Sequence, residues 1–242
     1  MVAYPLFNRT IEKMKTPLIM PRIVLIGFII AIVTLVGCTS TAPEQRLSQK
    51  LDGARCCQRV EATPRRASIV RTAARLVGAR TIEVNGRPIA YDCAGVTRAI
   101  YLEHGIDLYD GGASDDRANG VRLIYAHVRQ RGKLHQGPVV YPGDLVFFDN
   151  TWDFNGDGLL NDPLTHVGVV EQVEPDGTVV FISRVADAIE RYRMNLALPH
   201  VHQTAEGRIL NDYIRRKRTT DPHEIDRLTG ELFAFYGTRL DR

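Results

Sequence analysis

Apolar residues in the first half of the chain recur at helical spacing. In residues 68–77 they fall on one helical face, and Gly78 follows as a helix stop. The same spacing predicts a second helix that begins near Cys93 and ends near His104, and a third helix over residues 119–130. Between the first two helices, two short segments flank Asn85-Gly86, the dipeptide typical of a tight β-hairpin turn.

The second half of the chain changes to strand patterns. Residues 145–148 follow a Pro-Gly-Asp turn, residues 166–173 and 178–182 flank a second turn at Pro175-Asp176-Gly177, and residues 188–198 predict a further strand. From about residue 211 the chain is basic and then apolar at helical spacing, which predicts a C-terminal packing helix through Leu228, Leu232 and Phe235. Helices followed by an antiparallel sheet indicate an α+β domain, with N-terminal helices packed on the sheet.

The N-terminus has the layout of a secretory signal. Basic residues precede an uncharged apolar run over residues 23–36, which is shorter than the ~20 residues needed to cross a bilayer. The run ends in Leu35-Val36-Gly37-Cys38, which resembles the bacterial lipobox. The resemblance implies cleavage before Cys38, diacylation of its thiol and, since no aspartate follows, an outer-membrane lipoprotein facing the periplasm. A short transmembrane anchor is the alternative.

These patterns divide the chain into four segments. We expect a signal peptide at 1–37, a flexible tether rich in Ser, Gln, Arg and Pro at 38–64, a folded domain at 65–198 and an extension at 199–242. The formal charge of +3 is too close to balance to favour a nucleic-acid partner. Cys56 and Cys57 are adjacent, a spacing that disfavours pairing with each other; no catalytic role is expected for either.

Cys93 is the candidate nucleophile. A thiol becomes a good nucleophile as a thiolate, which the positive end of a helix and a nearby imidazole both favour. Asp92 can cap the helix that starts here. Ala94 and Gly95 are small, so a substrate carbonyl can approach and backbone amides can receive the developing oxyanion. A buried structural cysteine is the alternative interpretation.

Three motifs in order resemble the NlpC-type and CHAP-type cell-wall hydrolases, over residues 68–183. They are Asp92-Cys93-Ala94-Gly95, Pro142-Gly143-Asp144-Leu145 and Thr165-His166-Val167-Gly168. The resemblance implies a papain-like core, with Cys93 at a helix start and His166 as the base on a facing strand. The tyrosine that the family carries after its first helix is not evident here, so Tyr91 is the candidate substitute in oxyanion binding.

The residue that orients His166 is left open between two candidates. Ser183 occupies the place where the families carry a polar orienter. A two-residue turn at Asp176-Gly177 would instead put Asp187 opposite His166. If neither serves, the chain is a degenerate relative that has lost activity.

An acidic loop before His166 resembles the start of an EF-hand-like calcium loop. Calcium takes six to eight oxygen ligands, and glycine permits the sharp turn. The candidate ligands are Asp153, Asn155, Asp157, Asn161 and Asp162. A structural calcium ion is therefore possible, although Leu164 stands where a bidentate acid is expected; a solvated loop without metal is the alternative.

Together these features predict a lipid-anchored thiol hydrolase that cleaves amide bonds in peptidoglycan peptides and requires no cofactor. The bond is either D-glutamyl–diaminopimelate or muramoyl–alanine. The alternatives are a non-catalytic envelope lipoprotein that binds or scaffolds the cell wall, and acyl or peptide transfer by the same cysteine.

Overall fold

The structure is a computed structural model that describes residues 62–111, 119–216, 221 and 225–240. The predicted signal peptide, Cys38, Cys56, Cys57 and nearly all of the predicted tether lie outside these residues. Within them, no helix combines the length and apolar composition needed to cross a membrane.

Three helices form where the helical spacing predicts them. They are α1 (Pro64–Arg75), α2 (Cys93–Leu102) and α3 (Gly120–Arg131). Each follows a residue whose side-chain oxygen accepts a hydrogen bond from a first-turn amide: Thr63, Asp92 and Asn119. This satisfies amides that have no partner within the helix.

The remaining elements are strands and one short helix. The hairpin strands are β1 (Glu83–Val84) and β2 (Arg87–Pro88), joined at Asn85-Gly86, where both residues have positive φ as the tight turn requires. The sheet strands are β3 (Lys133–His135), β4 (Leu145–Phe148), β5 (His166–Val173), β6 (Val179–Val185), β7 (Ala188–Met194) and β8 (Phe233–Thr238), and helix α4 (Thr229–Leu232) precedes β8.

The six strands form one antiparallel sheet in the order β3-β8-β4-β5-β6-β7. Its strands β4, β5 and β6 are adjacent in both chain and space, so β5 lies inside the sheet with a partner on each side. The predicted α+β class with an antiparallel sheet is confirmed.

Both faces of the sheet are covered. Leu145 and Phe147 of β4 belong to a core shared with helices α1, α2 and α3, whereas Val146 and Phe148 belong to a second core on the other face. The second core includes Ile214, from the segment that follows the sheet hairpins. Burial on both faces explains why β4 is apolar throughout rather than alternating.

The predicted C-terminal packing helix is wrong. Helix α4 ends at Leu232, and Phe233 is already extended. The next six residues form β8, which pairs with β3 on one side and β4 on the other. Helical spacing of Leu228, Leu232 and Phe235 is overridden because an aromatic-rich segment gains two backbone ladders inside the sheet. The described residues between 199 and 240 are therefore part of the same domain rather than an extension of it.

A fully buried ion pair joins distant parts of the fold. Arg66 of α1 donates to an Asp144 carboxylate oxygen over 2.9 Å, and both side chains are 0% exposed. Arg66 also donates to the carbonyls of Pro142 (3.1 Å) and Leu240 (2.7 Å). The second carboxylate oxygen accepts from the Tyr141 amide over 2.9 Å. The pair therefore connects the first helix, the turn before β4 and the segment after β8.

We expect Asp144→Asn to destabilise the domain by about 3–5 kcal/mol, because it leaves the Arg66 charge buried without its carboxylate. Urea denaturation of the folded protein measures this. Glu103→Gln is the matched control, because it removes the carboxylate of the Arg75–Glu103 pair, in which the Arg75 side chain is 62% exposed; a loss below about 1 kcal/mol is expected there. Equal losses in the two variants would contradict a central role for Asp144.

Candidate active site

Cys93 is the first residue of α2, and its surroundings follow from that position. The Asp92 carboxylate caps the helix by accepting the Gly95 amide hydrogen over 2.7 Å. Cys93 is half-buried, and it is the single free cysteine among the described residues. The sulfur therefore lies at the positive end of a ten-residue helix.

Gly95 is required by the backbone. A Cβ atom at this position would lie 1.9 Å from the carbonyl oxygen of Ala90. This close approach is a reason for glycine that the sequence did not reveal; room for a substrate carbonyl at Gly95 stays a prediction. The missing side chain lets the chain before Cys93 pass directly over the first turn of α2.

His166 is the first residue of β5, at the point where β5 pairs with the end of β4. Its imidazole is 7% exposed and packs against the Phe148 ring, with 6.1 Å between the ring centroids. Helix α2 packs on β5 through the shared core that contains Ala94 and Val167. This packing brings Cys93 and His166 to the wall of one cleft.

Ser183 of β6 contacts His166 and fixes which imidazole nitrogen carries the proton. The Ser183 hydroxyl oxygen lies 2.7 Å from the Val167 carbonyl oxygen and 2.8 Å from His166 Nε2. A carbonyl oxygen can only accept, so the one hydroxyl hydrogen goes to Val167. His166 Nε2 must then donate to Ser183, which leaves Nδ1 without a hydrogen and able to accept one.

Asp187 does not reach His166. The hairpin arithmetic is wrong by two positions, because Val169 pairs with Ile182 rather than with Arg184. One position is lost at the turn, where Val173 pairs with Val179, and the other at a bulge around Glu171. The Asp187 side chain is 91% exposed, and it lies 3.8 Å from the Arg184 guanidinium.

The two reactive groups are neutral at pH 7 in the resting protein. Burial raises the pKa of Cys93 to about 11, and the charge of Asp92 raises it further, while hydrogen bonding from the backbone of Val167 and Ala94 offsets part of this increase. Burial lowers the pKa of His166 to about 3, and the positive charge of Arg184 contributes. Little thiolate is therefore present at Cys93 at pH 7.

The cleft has a volume of about 650 Å³. Ala94 lines it beside Cys93, which is the position that the predicted oxyanion role requires. Tyr91 is not among the lining residues. Its hydroxyl donates to the Ala79 carbonyl over 2.6 Å, and its ring lies 5.1 Å below the Arg184 guanidinium. The candidate oxyanion role thus fits Ala94 better than Tyr91.

The acidic loop between β4 and β5 closes through its own polar side chains. Asn155 Nδ2 donates to Asp157 (3.1 Å) and Asn161 (2.9 Å), and Asn161 donates to Asp157 over 2.8 Å. The Asp153 carboxylate accepts two loop amides, from Gly156 and Gly158. Three of the five candidate calcium ligands therefore contact one another directly.

Asp162 is used differently. Its side chain is buried and accepts the amide hydrogens of Phe154 (3.0 Å) and Asn155 (3.2 Å). Among the described residues, no group of three acidic, histidine or cysteine side chains is placed to hold a metal ion. The loop residues therefore fit calcium only in part, since backbone amides donate to all three carboxylates, those of Asp153, Asp157 and Asp162.

Calcium binding at this loop stays a prediction. We expect calcium to raise the midpoint of thermal denaturation by a few degrees or more, about the effect of 1 kcal/mol. Asp157→Asn should remove the increase, because it takes away the carboxylate that both asparagines contact. Magnesium at the same concentration is the control for ionic strength. An unchanged midpoint in the unsubstituted protein would contradict calcium binding at this loop.

Several lining residues were not predicted from the sequence. Trp152 and Thr165 come from the ends of the acidic loop, Arg184 follows Ser183, and Arg215 and Arg227 come from the segment before β8. Trp152 is the single tryptophan of the chain and precedes His166 closely, which was a usable signal. Nothing in the local pattern marks the arginines, because tertiary structure brings them to the cleft.

Comparison of the sequence with protein-family models finds no matching family, and a search of curated proteins finds no match. The similarity to NlpC-type and CHAP-type hydrolases therefore depends on the three motifs and on the geometry of the residues they contain.

We expect stability to fall on acidification because of His166. The unfolded chain binds a proton near pH 6.5, whereas the folded chain resists it until about pH 3, so stability is lost as pH decreases through this window. From pH 7 to pH 5 the loss is about 2 kcal/mol. In urea denaturation, the His166→Gln variant should lose less stability between pH 7 and pH 5 than the unsubstituted protein, by this amount.

His200→Gln is the matched control for removing a histidine, since its side chain is 77% exposed. It should keep the acid sensitivity of the unsubstituted protein. If His166→Gln loses as much stability as the unsubstituted protein between pH 7 and pH 5, the imidazole is not held neutral by the fold.

Proposed function

We propose that this protein is a thiol hydrolase with a papain-like core, which cleaves amide bonds in peptidoglycan peptides and is held to the membrane by lipid on Cys38. The observation that carries the proposal is the hydrogen-bond chain from His166 Nε2 to Ser183 and on to Val167. It leaves Nδ1 as a proton acceptor in the cleft that also contains Cys93. Cys93 at a helix start and His166 on a neighbouring strand are the arrangement that the family resemblance implies.

Cys93 and His166 act together in the first step. As the sulfur attacks the amide carbonyl carbon, the thiol proton moves to His166 Nδ1. The carbonyl oxygen becomes an oxyanion, which backbone amides at the start of α2 stabilise. His166 then gives the proton to the departing amine, and the C–N bond breaks to leave a thioester on Cys93.

Hydrolysis repeats the proton transfers with water as the nucleophile. His166 takes a proton from water as its oxygen attacks the thioester carbonyl. The same proton returns to the sulfur when the C–S bond breaks, so the products are a carboxylic acid and the free thiol. No cofactor takes part in either half of the reaction.

Ser183 is the orienting group in this proposal. Its oxygen accepts the Nε2 hydrogen throughout, and this hydrogen bond becomes stronger when His166 is transiently positive. The hydrogen that Ser183 gives to Val167 polarises its hydroxyl oxygen and strengthens that acceptor. A serine remains a weaker partner for an imidazolium than a carboxylate, so the expected rate is modest.

The second candidate function is a non-catalytic envelope lipoprotein that binds or scaffolds the cell wall. The observation that favours it is the burial that raises the pKa of Cys93 to about 11, which leaves little thiolate at pH 7. Chemical reactivity separates the two candidates, because general-base assistance by His166 has no counterpart in a scaffold.

Digestion of purified sacculi by the detergent-solubilised full chain tests the proposal. We expect the unsubstituted protein to release muropeptide fragments whose new termini identify the cleaved bond. The Cys93→Ala variant should release none. Ser183→Ala should lower the rate about 10- to 100-fold, through loss of a hydrogen bond of about 1.5–3 kcal/mol to a charged imidazole. Ser183→Thr keeps the hydroxyl and is the matched control.

The rate of Cys93 alkylation defines the result that would contradict the hydrolase. In the hydrolase, iodoacetamide labelling at pH 7 slows when His166 is replaced by glutamine. Absence of fragments, together with labelling that is slow and independent of His166, would overturn the proposal and favour the scaffold.

A further inference from the structure

The wall of the cleft carries more positive than negative charge. Its charged lining residues are Arg184, Arg215, Arg216, Arg227, Asp92 and Asp187. The mechanism above uses none of the arginines. A surplus of guanidinium groups beside a reactive cysteine indicates a ligand with negative charge.

Arg184 is held in place without being neutralised. Its guanidinium stacks on the Tyr91 ring, and the Tyr91 hydroxyl is tied to the Ala79 backbone, so the stack rests on a fixed support. Its nearest carboxylate belongs to Asp187, which is 3.8 Å away and 91% exposed. An exposed pair of this length contributes little. Arg184 Nε has no hydrogen-bond partner within the described part of the chain.

Arg227 has a similar setting in the same cleft. Its guanidinium stacks over the Tyr213 ring at 4.7 Å, and its Nε donates to the Arg215 carbonyl over 3.3 Å. Stacked guanidinium groups lose little conformational entropy on binding, because their orientation is already fixed.

Arg215 has a structural task and is set apart from these two. Its side chain is 2% exposed, donates to the Asn150 carbonyl over 2.6 Å and lies 3.5 Å from the Asp221 carboxylate. Asn150 in turn holds the acidic loop by accepting the Asp162 amide hydrogen over 2.7 Å. Arg215 therefore fixes the loop, and Arg184 and Arg227 are the two arginines of the cleft whose guanidinium groups are oriented by a tyrosine ring.

We propose that Arg184, assisted by Arg227, binds a carboxylate that the substrate peptide carries next to the scissile amide, so that the enzyme prefers acidic peptides to their amidated forms. Guanidinium groups bind carboxylates through paired, charge-assisted hydrogen bonds that a neutral carboxamide cannot match. This inference deepens the proposed function and rests on it for the position of the scissile bond.

The same contact would strengthen the base. The charge of Arg184 contributes to the low pKa of His166, because it opposes a second positive charge nearby. A bound carboxylate cancels this repulsion, so His166 accepts the Cys93 proton more readily when an acidic peptide occupies the cleft. An acidic substrate thus binds more tightly, and it also makes the transfer of the Cys93 proton to His166 easier.

Fluorescence of Trp152 provides a binding measurement that does not depend on turnover. It is the chain's single tryptophan, it lines the cleft and its ring nitrogen donates to the Thr165 carbonyl over 3.3 Å. The protein is the full chain with Cys93→Ala in detergent. The two ligands are a peptide with a γ-linked D-glutamate whose α-carboxylate is free, and the same peptide with that carboxylate amidated.

We expect the acidic peptide to bind at least about tenfold more tightly than the amidated one, a difference of about 1.4 kcal/mol. Arg184→Gln should remove the preference, Arg184→Lys should keep part of it, and Arg227→Gln should reduce it independently. Arg191→Gln is the matched control, because Arg191 pairs with Glu171 outside the cleft. Equal affinity for the two peptides, or a preference untouched by both cleft substitutions, would overturn the inference.

The outcome is separable from that of the proposed function. An Arg184-dependent preference, with no fragments released from purified sacculi by the unsubstituted protein, supports the carboxylate site and overturns the hydrolase. Hydrolysis of both peptides with equal kcat/KM and equal affinity supports the hydrolase and overturns the carboxylate site.

Discussion

The carboxylate of Asp144 has no access to solvent, and its charge is stabilised there by the Arg66 guanidinium and the Tyr141 amide. The backbone of the same residue is tied to β5, since the Asp144 carbonyl accepts the Val170 amide hydrogen over 2.8 Å. The adjacent Gly143 amide donates to the Val170 carbonyl over 2.8 Å. One short turn therefore anchors helix α1 on one side and the strand that presents His166 on the other.

Burial sets the character of the reactive pair. The same packing that brings α2 onto β5 removes water from Cys93 and His166, and this keeps both groups uncharged. The proposed hydrolase would therefore not store a thiolate; it would create one when a carbonyl carbon is available. The gain is resistance to unproductive oxidation or alkylation, since the thiolate is the reactive form. In the proposed reaction the cost is speed, because each turnover would separate charge in a poorly solvated place.

Local patterns predicted most of the elements that position the reactive pair. The bounds of β4 and β5 coincide with the predicted ones, and the N-caps Asp92 and Asn119 stand where helical spacing begins, because these features depend on neighbours a few residues away. The prediction of a C-terminal packing helix failed because β8 pairs with β3 and β4, which lie about 100 residues earlier in the chain.

The fine geometry of the site was less accessible from sequence. A bulge around Glu171 has no sequence signature, yet it decides that Ser183 rather than Asp187 contacts His166. The arginines at 184 and 227 share a wall only after the sheet and the segment before β8 have assembled. The sequence singled out Gly95 but did not reveal its closest neighbour, which is the Ala90 carbonyl.

The position of β8 has a consequence for how the chain is made. During synthesis, β3 and β4 emerge about 90 residues before Phe233–Thr238, the strand that must lie between them. Until that strand is available, one edge of β4 exposes unpaired amide and carbonyl groups, and the sheet cannot be completed. Folding therefore waits for nearly the whole domain to be translated, and a product that ends before Phe233 lacks an inner strand of its sheet rather than a dispensable tail.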